Sequence, residues 1–143
     1  MTVEAILNEK GRNVVTASKD DSLSSICAAL SQKRIGAIVV VEGEGIVKGI
    51  ISERDVVRAL ARHGSEALQK QAHMFMTEAV VTCSGGETIA NLMAKMTEGK
   101  FRHLPVVENG KLAGIISIGD VVKRRIAEAE FEARSMREYI ATG

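Results

Sequence analysis

One stretch of this chain occurs twice. Gly49-Ile50-Ile51-Ser52-Glu53-Arg54-Asp55-Val56-Val57 returns as Gly114-Ile115-Ile116-Ser117-Ile118-Gly119-Asp120-Val121-Val122, a spacing of 65 residues (49 to 114). Upstream the spacing is 66 (14 to 80), where Val14-Val15-Thr16 matches Val80-Val81-Thr82. The lost residue falls in a turn, as Gly43-Glu44-Gly45 shortens to Asn109-Gly110. Self-similarity on this scale means two copies of one folding unit and points to two copies of one site. A unit of about 60 residues buries little apolar surface alone, so the copies are expected to face each other across a shared aliphatic core.

Composition narrows the function classes. Aromatics are 3% of the 143 residues and Trp is absent, which removes the stacking platforms that single-stranded nucleic acids use. The net charge of +1 leaves no basic footprint for DNA or an anionic membrane. The two cysteines, Cys27 and Cys83, form neither a CxxC motif nor a disulfide framework. The chain opens without a charged-then-apolar leader and holds no apolar run long enough to span a bilayer, so a cytoplasmic protein is expected.

Each copy reads as β-α-β-β-α. A β-rich entry is followed by a polar turn (Ser18–Ser22; Ser84–Thr88) that supplies a helix cap. The next helix carries apolar residues at i, i+3, i+4, i+7: Leu23, Ile26, Cys27, Leu30 in the first copy and Ile89, Leu92, Met93, Met96 in the second. Cys27 on that face reads as a core hydrophobe, not a nucleophile. Hairpins follow at residues 37–51 and 103–116. Pro105 requires that its strand be an edge or turn its amide position away from the ladder. A second helix starts at each repeated Ser. The first should stop near Gly64; the second should run from about Ile118 to Ile140. On it Val122, Ile126, Ala129, Ala133, Met136 and Ile140 make a short heptad seam, which suits a helix lying on its own domain or, favoured by the solvated flanks, one pairing across a homodimer. Residues 1–63 form the first unit, 64–75 a linker with a helical turn, 76–125 the second unit and 126–143 a helical extension. The fold class is α/β, two repeats packed about a pseudo-twofold axis with an extended C-terminal helix.

The repeated Ser and Asp sit where a strand gives way to a helix. Free first-turn amides and the helix dipole favour a phosphate there, and a carboxylate can accept two ribose hydroxyls at once. Together they would read a nucleotide. The same Ser-x-x-Asp spacing is also a capping box, and the four residues alone favour the cap. Each copy adds basic residues before its first hairpin strand, Lys33-Arg34 in one and Lys100, Arg102 and His103 in the other. No pair of the three histidines has metal-ligand spacing, so no metal site is expected.

These residues resemble a tandem pair of cystathionine-β-synthase (CBS) domains, the Bateman module, from about Thr2 to Lys123. The strongest segment runs from Phe101 to Val122, an R-x-L-P-V-V-like strand, a turn, then Gly-Ile-Ile-Ser-Ile-Gly-Asp. The resemblance implies clefts between the copies for adenosyl compounds: AMP, ADP, ATP, S-adenosylmethionine or NAD. It implies that Asp55 and Asp120 hold ribose and that Ser52 and Ser117 lie on the phosphate side. Thr16 and Thr82 lie on the entry segments lining the adenine pocket. Lys33, Arg34, Ile35, Gly36 and Ala37, with Lys100, Arg102, His103, Leu104 and Pro105, match the strand opening that contacts base and phosphate. Ile118 and Gly119 complete the second corner. Arg54 is expected to serve a nucleotide whose ribose Asp120 holds, and the second site looks the better equipped.

The expected function is a non-catalytic nucleotide sensor that signals to an unidentified regulated partner. The alternative is a structural dimer with vestigial sites. Inosine monophosphate dehydrogenase carries such a module, but this chain leaves no room for a (β/α)₈ barrel, which needs roughly 200 residues, and it has no P-loop, dinucleotide fingerprint or Ser elbow.

Overall fold

A computed structural model describes residues 1–142. It contains helix α1 (Val3–Lys10), strand β1 (Thr16–Ala17), α2 (Leu23–Lys33), β2 (Ala37–Glu42), β3 (Ile46–Ser52) and α3 (Glu53–His63). Two 3₁₀ turns, Gly64–Gln69 and Ala72–Met74, lead to α4 (Ile89–Gly99), β4 (His103–Glu108), β5 (Lys111–Ser117) and α5 (Ile118–Thr142). The α2 and α4 helices start at Ser22 and Thr88, whose hydroxyls accept from the amides of Ser25 and Asn91. Gly64 ends α3, as its position predicts.

Both hairpins form, with Val39 opposite Ile50 and Pro105 opposite Ile115. The entries differ. In the first copy β1 runs parallel to β2, pairing Thr16 with Val39 and Ala17 with Val40. In the second, no strand forms at Val80–Thr82, and a single parallel bridge joins Cys83 to Val106. Pro105 explains the loss. Its carbonyl accepts the Cys83 amide, so its own nitrogen faces this flank, where Val39 at the matching place has an N–H to give and proline has none.

The core is aliphatic and divided. Leu92, Leu104, Val106, Ile116 and Val121 pack in the second copy, Ile26, Ile38, Val40 and Ile51 in the first, and Leu23 with Ala59 beside them. Met93, expected on the buried face of α4, is instead 41% exposed beside α5.

Packing does not follow chain order. Helix α1, at the start of the first copy, buries Val3, Ile6 and Leu7 in the core of the second. The 3₁₀ segment before the second copy buries Ala67 and Ala72 against the first. The exchange is symmetric to single hydrogen bonds. Val3 and Glu4 donate to the carbonyls of Glu87 and Gly85; Ala72 and His73 donate to those of Asp21 and Lys19. Ile89 and Leu23 complete the set by donating to Met1 and Lys70. Two glycines admit the exchanged segments closely: Leu7 lies over Gly114 and Met76 over Gly49. Each unit is therefore finished by a segment preceding the other, which ties the repeats into one body.

Candidate functional site

Two strand-to-helix corners face the junction between copies. In each, the Ser hydroxyl accepts the amide three residues on (Asp55 N, 3.4 Å; Asp120 N, 3.2 Å). In return the carboxylate Oδ2 accepts the Ser amide, at 2.9 Å for Asp55 and 2.8 Å for Asp120. It also accepts the Ser hydroxyl, at 3.1 and 3.0 Å. The capping box is thus formed twice. It consumes one oxygen of each acid and leaves Oδ1 outside the cap, so capping and ligand binding are compatible.

At the first corner, Oδ1 of Asp55 accepts the Thr77 hydroxyl at 3.4 Å and lies 4.0 Å from Arg58. Here a cleft of about 580 Å³ opens between the copies, within the range of small-molecule sites. The first copy contributes Gly36, Ile50, Ser52, Glu53, Arg54, Asp55 and Arg58. The second contributes Thr77, Ala79, Val80 and Val81 from its entry and Gly99 to His103 from the α4–β4 turn. Five of these residues are apolar (Ile50, Ala79, Val80, Val81, Phe101). The others include four cations, Arg54, Arg58, Lys100 and Arg102, against two acids, Glu53 and Asp55. Lys100 caps α4 in the left-handed conformation (φ 56°), and its carbonyl accepts Arg54 Nη1 at 2.8 Å.

His103 is half-buried at the floor of the cleft, its ring so close to Gly36 that a Cβ there would meet Cε1 at 3.0 Å. Burial pushes its imidazole below the ordinary value, against the opposing pull of Glu53, so the ring is neutral near pH 7. A side chain at position 36 would make the His103 ring give by a few tenths of an ångström.

The second corner is furnished differently. Lys10, at the end of α1, donates to Asp120 Oδ2 at 2.7 Å and to the Ile115 carbonyl at 2.9 Å. Burial raises the Asp120 carboxyl, but Lys10 and the Ser117 amide outweigh it and hold the group below the usual carboxylate range.

The structure regroups the residues read from the sequence. Arg54 joins Asp55, not Asp120, because both sit in the first turn of α3. Lys100, Arg102 and His103, counted with the second site, also line the Asp55 cleft, since the opening of β4 faces across the junction. Leu104, Pro105 and Ala37 are buried, and Ile35 packs against the first core. Thr16 in β1 pairs with Val39 of β2, the Thr82 carbonyl accepts Lys95, and Arg34 caps α2 in the left-handed conformation beside Lys33; none of the predicted Thr16, Thr82, Lys33 and Arg34 lines the Asp55 cleft. Ser117, Ile118, Gly119 and Asp120 stay together at the second corner. Sequence reading missed Thr77, Arg58 and Lys10, which only the segment exchange and helix phase bring to the acids. Among the described residues no three potential metal ligands cluster, and no helix is long and apolar enough to cross a membrane.

Comparison with known proteins agrees with this architecture. The chain is 29% identical over 99% of its length to the CBS domain-containing protein CBSX3, mitochondrial, of Arabidopsis thaliana, covering 73% of that protein. The crystal structure of the CBS-domain containing protein ATU1752 from Agrobacterium tumefaciens superposes with TM-score 0.84 at 49% identity, over 87% of this chain and 92% of that one. The CBS domain pair of protein MJ0100, solved with 5′-methylthioadenosine and S-adenosyl-L-methionine, gives TM-score 0.77 at 25% identity, over 86% and 98%. The CBS domain family model matches residues 3–62 and again 72–127, the two halves that exchange their leading segments, and the chain belongs to the CBS-domain family as a tandem pair.

Proposed function

We propose that this protein is a non-catalytic regulatory module whose Asp55 cleft binds an adenosine nucleotide. One observation carries the reading: a carboxylate oxygen left outside its helix cap accepts the Thr77 hydroxyl inside a cleft whose lining includes Arg54, Arg58, Lys100 and Arg102 together with apolar residues. The acid suits ribose hydroxyls, the cations suit phosphates, and Ile50, Ala79, Val80 and Val81 suit the faces of a purine. The adenosyl ligands of the MJ0100 pair support the class of molecule. The excess of cations favours AMP, ADP or ATP over the sulfonium of S-adenosylmethionine.

Because the cleft is built from both copies, a bound nucleotide contacts α3 and the α4–β4 turn together. Any arrangement of the copies that brings these closer is favoured by the ligand, and a regulated partner reads the shift. The seam of α5 remains exposed at Val122, Ile126, Met136 and Ile140, which suits a homodimer through this helix.

The test is a calorimetric titration with AMP, ATP, NAD and S-adenosylmethionine, on the wild type and on Asp55→Ala. Adenosine phosphates should bind the wild type and lose at least tenfold in affinity on Asp55→Ala. Absence of uptake, or uptake indifferent to Asp55, refutes the reading.

A further inference from the structure

We infer that Lys10 is a built-in occupant of the second corner, which makes the two corners unequal: Asp55 lines a cleft open to a nucleotide, whereas Asp120 is held by the chain's own ammonium group.

The argument comes from matching the corners atom by atom. Ile50 and Ile115 are equivalent, as are Asp55 and Asp120. In the first corner Thr77 serves both: its amide donates to the Ile50 carbonyl at 2.9 Å, and its hydroxyl donates to Asp55 Oδ1 at 3.4 Å. In the second corner a single group reaches both residues, since Lys10 Nζ donates to the Ile115 carbonyl at 2.9 Å and to Asp120 at 2.7 Å, there on the capping oxygen Oδ2 rather than on Oδ1. The exchanged segment before the first copy is a continuous helix through Lys10, so it offers no extended backbone to pair with β5. The lysine side chain reaches back from the helix end and takes over the pairing.

The consequences differ for a ligand. At the first corner Thr77 brings a neutral hydroxyl to Asp55 Oδ1, and the nearest cation, Arg58, stands at 4.0 Å on an exposed side chain that can turn away. Lys10 brings a full positive charge at ion-pair distance to a part-buried acid, so the Asp120 carboxylate is already ion-paired, with its Oδ2 shared among the cap and the ammonium. A sugar hydroxyl must compete with a tethered cation, which is present at high effective concentration. Lys10 is anchored through α1, whose Val3, Ile6 and Leu7 are buried in the second core, so the competitor does not drift away.

This inference rests on the nucleotide reading of the corners, and its test separates the two. Equilibrium dialysis with ATP should give one nucleotide per chain for the wild type, abolished by Asp55→Ala. Lys10→Met should raise the count to two, and Lys10→Met combined with Asp120→Ala should return it to one. Lys10→Arg, which keeps the charge, should stay at one. A wild type that binds two, or a Lys10→Met protein that gains nothing, overturns the inference while leaving the Asp55 reading intact. Gain of an Asp120-dependent site by Lys10→Met, with no Asp55-dependent binding, overturns only the nucleotide reading of the Asp55 cleft. No uptake by either protein removes both.

A ligand-free measurement bears on the ion pair directly. Acetic anhydride should modify Lys10 several-fold more slowly in the wild type than in Asp120→Ala, read by mass spectrometry of the peptide. Equal rates would mean that Asp120 does not hold the ammonium, and the occupant role fails.

Discussion

Arg54 of the first repeat donates through Nη1 to the main-chain oxygen of Lys100 in the second, at 2.8 Å. The bond joins the two copies across the cleft that both residues line. It binds the start of α3 to the end of α4, the two elements that a ligand would contact at once. Replacing Arg54 by Ala removes a charge-assisted hydrogen bond and one of four cations from the phosphate side. Affinity for AMP should fall about tenfold, equivalent to about 1.4 kcal/mol. Asp120→Ala should leave this binding nearly unchanged. Titration calorimetry on the three proteins checks it, and unaltered binding by Arg54→Ala takes Arg54 out of the site.

Acid should unfold the protein through identifiable groups. In Asp120 burial raises the carboxyl, yet Lys10 and the Ser117 amide leave it lowered overall; in Glu87 burial likewise raises it, and Lys95 and the Ser84 amide outweigh that. Both therefore bind protons less well folded than unfolded. Their stabilisation is complete above the ordinary values of 3.8 and 4.5 and is lost as pH falls through the lower folded values. His103 has the same sign one window higher: its folded value lies below 6.5, so stability is whole above that pH and declines on acidification through the folded value. Urea midpoints measured from pH 8 to pH 3 should fall in two stages. His103→Gln should flatten the upper stage and Asp120→Asn the lower one.

The outer half of α5 should be dispensable for folding. Every described residue beyond Glu128 is exposed, among them Phe131, Met136, Tyr139 and Ile140, while Val121 alone on this helix is fully buried. A chain ending after Glu130 loses no core contact, so its Tm should stay within about 3 °C of the full protein. Assembly should respond instead. Sedimentation equilibrium should report a dimer for the full chain and a monomer for the shortened one, and a dimer that survives truncation would place the interface elsewhere.

The repeat announced most of the fold, because its period, its helical faces and its Ser-x-x-Asp corners are local patterns. Residues such as Leu92 and Ile26 sit where periodicity puts them. What escaped was non-local. Helix α1 has eight residues and too little length for periodicity to mark it, and nothing in its composition says that it completes the other copy. Lys10 reaches Asp120 across 110 residues of sequence. Arg102 and Asp55 share a cleft only because the copies face each other. Corner chemistry was legible; the pairing of corners with cations was not. Even the missing entry strand of the second copy is visible only in register, once Pro105 is seen to lie where Val39 offers an amide.

The exchanged segments give a last test. Gly114 sits under Leu7: a Cβ built there would come 2.7 Å from Leu7 Cδ2 and 3.0 Å from Cδ1. Leu7 is 2% exposed and fixed between α1 and the second core, so it cannot turn aside. Gly114→Ala must push α1 outward and should cost about 1–3 kcal/mol. At the matching place, Gly49→Ala would meet Met76 at Sδ (2.6 Å) and Cγ (2.8 Å). Met76 is only half-buried and unbranched, with three rotatable bonds to absorb the methyl group, so the cost should be smaller. Leu7→Ala alone opens a cavity and should cost about 2–5 kcal/mol. In the Gly114→Ala background the same change also relieves the clash, so the two substitutions should be clearly less damaging together than their sum. Thermal or urea melts of the four proteins close the cycle. Strict additivity would show that α1 does not rest on Gly114 through Leu7.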